Sequence, residues 1–286
     1  MKLASYTIDG RASYGIVTEG GVIDLGSRLG EAAPTLRDLL TTGVEAAAAH
    51  AGASPDYTLD QVALAPVIPN PGAVWCTGLN THSHFAEAAA LMGVKDLPPV
   101  PMFFLRSTQT LIGSGEEMEK PKLEPDFDYE GEIAVVIGKT ARNVSVEDAL
   151  SYIAGYTCFN DGSARQYQIR SHQVPTGKNG YRSGGFGPWL TTSDELEHDS
   201  LHLEPRVNGE TRQSMPIDDL IFSISQLVSH ISEVALLLPG DVIVTGSGEG
   251  AGALRKPQIF LQEGDVVEVE VSGVGTLVNT IVEQRL

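Results

Sequence analysis

Apolar and polar positions alternate in short runs at the start of the chain. KLASYTI, YGIVT and VIDLG, separated by the turns DGR and EGG, predict a three-stranded meander. A helix follows, with Pro34 in the place of a first helical residue before TLRDLL, and the alanine-rich VEAAAAHAG reads as further helix closing at Gly52. The proline cluster APVIPNPG, residues 65–72, breaks regular structure. It places a boundary near residue 69, between a small N-terminal α/β domain (1–68) and the main body (69–286).

In the body, AVWCTG reads as a strand and NTHSHFAEAAALMG as a helix starting at Asn80 or Thr81 and stopping at Gly93. FFLR and EGEIAVVIG are strands. Ser145 and Asp148 have the spacing of a capping box, which predicts a helix over about 146–154. GYTCFND is again strand, and SARQYQIRSH opens another helical turn. LHLEPRVNGETRQ is a hairpin turning on Asn208 and Gly209. SISQLVSHISEVALLL repeats apolar residues at 224, 227, 228, 231 and 235, a helical period, and LPGD ends it. DVIVTG, VVEVEV and GTLVNTIVE complete the chain. Many strands with few intervening helices argue against a doubly wound parallel sheet. They point to a strand-rich α+β fold with a rolled or sandwich-like sheet.

Composition narrows the function. The 286 residues are 42% apolar and 20% charged, ordinary globular usage. Nineteen basic against 37 acidic residues leave a net charge of −18. Such a surface repels phosphate backbones and anionic lipid heads, so neither nucleic acid nor membrane is an expected partner. An anionic substrate then needs a local positive centre. The N-terminus lacks a secretory pattern, and no run reaches the roughly eighteen apolar residues of a membrane span, so a cytoplasmic protein is expected. Cys76 and Cys158 fit a reducing compartment and read as packing residues.

The chemistry starts at DFDYEGEIAVVIG, residues 126–138. In a strand, Glu130 and Glu132 point to one side with Cα atoms about 7 Å apart, while Ile133, Val135 and Ile137 point to the other. Spacing alone leaves open a solvated sheet edge. Yet the glutamate face continues as Ala134 and Val136, and two carboxylates entering an apolar face repel one another unless a cation answers them. Hard divalent cations take such oxygen ligands. Asp161 is the candidate third acid, with Asp126 and Asp128 competing on proximity, and no Cys or His spacing suggests zinc. His84 and Glu87 share a helix face at i,i+3, where the carboxylate can orient the imidazole for proton transfer; His82 lacks that partner. PTGKNGYRSGGFGPW (175–189) offers Lys178 as a fixed positive charge. TGSGEGAGA (245–253) could embrace a ligand but lacks a phosphate-loop ending.

GLNTHSHFAE, DYEGEIAVVIGKTARNVS, AGYTCFNDGSARQYQ, GKNGYRSGGFGPW and LLPGDVIVTGSGEGAG, in this order, resemble the fumarylacetoacetate hydrolase superfamily over roughly residues 70–286. The resemblance implies a mixed β-roll catalytic domain, usually in a homodimer, with Mg²⁺ or Mn²⁺ on Glu130, Glu132 and Asp161. It implies a water-activating pair, His84 and Glu87, on a segment that orders over substrate, and Lys178 holding substrate oxygen. Gln166, Thr245 and Gly246, inside these motifs, and Arg106, at the end of FFLR, are the candidate substrate-binding residues. The implied reaction is hydrolysis of a C–C bond in a small anionic 2,4-dioxo acid, the ion chelating its carboxylate and 2-oxo oxygens. Decarboxylation of an oxaloacetate-type acid, or hydration or isomerisation of a 2-hydroxydienoate, uses the same site. Thr81, Gly180 and the TGSGEG run depart from the pattern of many relatives, which bears on the substrate rather than on the metal.

Overall fold

The meander at the chain start is the outer part of a large sheet that ends at the other side of the molecule. The computed structural model describes residues 1–92, 96–170 and 173–285. Eleven strands form this sheet. Its path runs from Gly21–Asp24 through Arg11–Thr18, Lys2–Ile8, Gly184–Thr192, Ile153–Asp161, Gly131–Ile137, Val242–Val244 and Val74–Gly78 to Met102–Leu105. Pairing is mostly antiparallel, but Val242–Val244 runs parallel to Val74–Gly78, so the sheet is mixed. A six-stranded sheet, built on His202–Val207, Val266–Val271 and Gly275–Glu283, packs against it. The fold is α+β and strand-rich. The sheet is continuous across residue 69, because Leu3 pairs with Leu190.

The two faces of the Gly131–Ile137 strand separate as the alternation requires. Ile133, Val135 and Ile137 are fully buried in the core between the two sheets, beside Leu203, Val269 and Leu277 and the apolar face of the Ile224–Val234 helix. Each such side chain contributes about 1.5–3 kcal/mol by burial. Ala134 and Val136 enter a second core, which includes Leu3, Ile23 and Leu36 from the N-terminal segment. Gly131 sits between the glutamates for a steric reason: a Cβ there would lie 2.1 Å from Pro205 of the facing sheet.

Several local expectations hold and three change. Ser223 caps the 224–234 helix through a capping box with Gln226, as the polar start of its apolar period implies. Pro34 lies outside its helix, which spans Leu36–Thr42 and is capped by Thr35 in a box with Asp38. The alanine-rich segment is helical only over Glu45–Ala48. The helix expected over 146–154 is absent. Ser145 and Asp148 do make the cap-like bonds, but only the 3₁₀ turn Ala149–Tyr152 follows, because Ile153 begins a strand held on both sides by neighbouring strands. Sheet pairing overrides the local cap here. The helix carrying His84 spans His82–Met92; its expected stop, Gly93, lies outside the described residues, as do Ser171 and His172.

The Asn208–Gly209 turn has φ of 53° and 76°, the left-handed pair of a tight hairpin. A Cβ at Gly209 would meet nothing within 4 Å. Gly209→Ala should therefore cost about 1–2 kcal/mol through the backbone alone, read as a lower denaturation midpoint with an unchanged m-value. No loss of stability would show that the turn relaxes freely. Among the described residues no helix is long and apolar enough to cross a membrane.

Candidate metal centre

Glu130 immediately precedes the central strand and Glu132 lies in it, on the face opposite Ile133 and Val135. The neighbouring strand places Asn160 opposite Gly131 and Phe159 opposite Glu132. Asp161 therefore arrives beside Glu130, its backbone N–H donating to the Glu130 carbonyl at 2.8 Å. The three carboxylates are buried, and one oxygen from each lies within 4.8 Å of the others. The spacing of the E-x-E pair and the aspartate closing the next strand thus converge on one point. The competing acids lie outside the triad: Asp128 accepts from Arg165 and from the Gly252 and Ala253 N–H groups, and Asp126 accepts from Gln166.

Three cations press on this cluster. Lys178, on the short Pro175–Lys178 helix, bridges Glu130 and Asp161, with Nζ 2.6 Å from Asp161 Oδ2. Arg165 joins Glu130 to Asp128 at 2.6 and 2.7 Å. Arg106 donates to Asp161 and to Ser183. Burial opposes ionisation of Glu130, but Arg165 and Lys178 outweigh it and hold that carboxyl well below its ordinary range. The same carboxylates hold the Lys178 ammonium above its ordinary value against its burial.

Glu132 is different. Among the described residues its one hydrogen-bond partner is the Gly246 N–H, and burial together with the charges of Asp161 and Glu130 pushes its carboxyl well above the usual range. Among the described residues four buried acids, Asp128 included, face three Arg and Lys side chains, which leaves one negative charge uncompensated when all are ionised. A buried, oxygen-only cluster with an uncompensated carboxylate fits a hard divalent cation. Glu130, Glu132 and Asp161 are the residues that would hold it.

The triad opens into a cavity of about 730 Å³ that His84, Arg165, Gln166 and Lys178 also line. The helix bearing His84 is fastened at its start: Thr81 donates to the Ser247 carbonyl at 2.7 Å, and Ser83 to Asp219. His84 is buried. Its Nδ1 lies 3.8 Å from Glu87 Oε2, too long for a hydrogen bond, and has no other partner among the described residues. Burial raises the Glu87 carboxyl, but the adjacent imidazole and the Gly250 N–H at 3.0 Å bring it net below its ordinary value.

The other candidates fall in different places. Gln166 lines the cavity. Arg106 does not: it is 3% exposed and sits behind Asp161. Thr245 donates to the Ile133 carbonyl, and Gly246 supplies its N–H to Glu132. These residues shape the carboxylates from behind. Arg165 was not singled out by sequence reasoning, although it lies inside a motif quoted above; a cation whose partners stand 35 and 37 residues away leaves no periodic signal. Arg106→Met should weaken Mn²⁺ binding about 10–100-fold by releasing Asp161, measured by titrating free Mn²⁺ by electron paramagnetic resonance. An unchanged affinity would remove Arg106 from the site.

Comparison with known proteins places the chain in a family. Residues 73–282 match the family described as fumarylacetoacetate (FAA) hydrolase, C-terminal. The chain is 39% identical over 229 residues to an oxaloacetate tautomerase of Bacillus subtilis, covering 79% of this chain and 75% of that one. It superposes on the fumarylacetoacetate hydrolase of Exiguobacterium antarcticum with a TM-score of 0.82 at 30% identity, covering 99% of this chain and 100% of that one. A maleylpyruvate hydrolase from Sphingobium, solved with manganese(II) and pyruvate, is similar over the full length of both chains, with a TM-score of 0.80 at 25% identity. With a family match over most of its length and a triad of buried acids on the matched strands, this chain belongs to the fumarylacetoacetate hydrolase family.

Proposed function

We propose that the protein is a divalent-metal-dependent hydrolase that cleaves a C–C bond in a 2,4-dioxo acid of the acylpyruvate class. The observation that carries the reading is one cavity bounded by a buried carboxylate triad and by an imidazole that has its own carboxylate, Glu87, nearby and whose Nδ1 has no hydrogen bond among the described residues. Mg²⁺ or Mn²⁺, when bound, supplies a Lewis acid for the substrate's carboxylate and 2-oxo oxygens. The relative solved with manganese(II) and pyruvate supports both the ion and the head group.

The chain's own groups do the rest. With Nδ1 turned toward Glu87, Nε2 of His84 is the atom that takes a proton from water, and Glu87 stabilises the imidazolium that forms. The resulting hydroxide adds to the distal carbonyl. The C3–C4 bond breaks, its electron pair goes to C3 as an enolate, and the proton held by His84 returns to C3. The products are a carboxylic acid and pyruvate. Lys178, buried and charged, faces the oxygen on which negative charge grows.

A second reading, keto–enol tautomerisation of oxaloacetate, is favoured by the relative in Bacillus subtilis. It needs the same base to move a proton between C3 and the enol oxygen, without water. An assay that resolves products, with Mg²⁺ or Mn²⁺ and with a metal-free control, separates the two. Pyruvate plus a free acid from an acylpyruvate supports hydrolysis. Equilibration of oxaloacetate with no product from acylpyruvates would replace it by tautomerisation.

A further inference from the structure

The cavity changes character away from the triad. Glu130, Glu132 and Asp161 lie at 6%, 2% and 1% exposure, whereas Met102 and Ile169, which line the same cavity, reach 43% and 71%. The triad is therefore the floor and these residues the outer wall. Phe104, Leu254 and Phe260 add apolar surface.

The polar groups on this wall do not suit an anion. Asp126 contributes a carboxylate, and among the described residues the side-chain donor reaching it is Gln166, at 3.2 Å. Gln258 already donates to the Ala253 carbonyl at 2.7 Å. Among the described residues the Arg and Lys side chains lining the cavity are Arg165 and Lys178, both held by the acids of the floor, and the other basic group there, His84, is buried beside Glu87. A carboxylate at the far end of a substrate would lose its hydration against apolar side chains and meet Asp126 with no cation among the described residues to answer it.

We infer that the enzyme selects substrates charged at one end only, 2-oxo acids whose distal group is alkyl or another uncharged group rather than a second carboxylate. The inference rests on the reading above in placing a 2-oxo acid head group at the metal, and it favours hydrolysis over tautomerisation, since oxaloacetate carries a second carboxylate. Within that reading it points to monoacids such as simple acylpyruvates.

The test compares two unreactive ligands of equal carbon number, 2-oxohexanoate and 2-oxoadipate, titrated calorimetrically into the full-length protein loaded with Mn²⁺. The monoacid should bind at least tenfold more tightly, and Asp126→Asn should narrow the gap at least threefold by removing the wall's charge. Equal affinities, a tighter diacid, or a gap unmoved in Asp126→Asn would overturn the selection for a neutral end while leaving the head-group reading intact. If neither acid binds the loaded protein, the head-group reading itself fails and takes this inference with it.

Discussion

Glu132→Gln should reduce metal-dependent turnover at least a thousandfold while leaving the metal-free protein as heat-stable as the parent, or more so. The first effect follows from losing an anionic ligand of the triad; a thousandfold is about 4 kcal/mol of barrier. The second follows from sign. The Glu132 carboxyl is held well above its ordinary range by burial and by Asp161 and Glu130, so its ionised form is disfavoured in the folded state relative to the unfolded chain. That penalty is absent well below the ordinary carboxyl range and develops as pH rises through it. An amide at this position escapes the penalty and still accepts from the Gly246 N–H. Thermal scans at neutral pH with and without Mn²⁺ show both halves: the ion should raise the midpoint of the parent and not of the variant. A fully active Glu132→Gln enzyme would sink the metal assignment.

Replacing His84 should separate chemistry from metal binding. General-base assistance contributes about 10²–10⁴-fold, so kcat of His84→Gln should drop by that order while its Mn²⁺ affinity stays within about threefold of the parent. Stability should not fall much, since the buried Nδ1 has no hydrogen bond to lose among the described residues and a buried unpartnered polar atom itself costs about 1–3 kcal/mol. A wild-type rate would remove His84 as the base. Loss of metal affinity alongside rate would instead make it part of the ion's surroundings.

The contrast between these two residues shows what the sequence made legible. Strand period 2 put Glu130 and Glu132 on one face, and the same rule sent Ile133, Val135 and Ile137 into the core between the sheets. Asp161 could be proposed from its place at a strand end, but its meeting with Glu130 depends on the register that sets Asn160 against Gly131, which no local pattern encodes. The charge balance of the site was out of reach for the same reason: Arg106, Arg165 and Lys178 come from three separate segments and meet only in the folded chain. Ser145 and Asp148 show the opposite failure, a sound local signal overruled because Ile153–Asp161 is required as a strand.

The continuity of the large sheet has a consequence for dissecting the chain. Met1 to Ile8 is the neighbour that completes one side of Gly184–Thr192, with Lys2 against Thr191 and Leu3 against Leu190, and Leu3, Ile23 and Leu36 share a core with Val136 of the central strand. A fragment cut at residue 69 would leave backbone donors and acceptors at 190–191 bare on a sheet edge above an opened apolar layer. Exposed edges of this kind recruit other chains. The N-terminal segment thus works as a fitted cover, and the fragment without it should come out of cells as aggregate rather than as a smaller working enzyme.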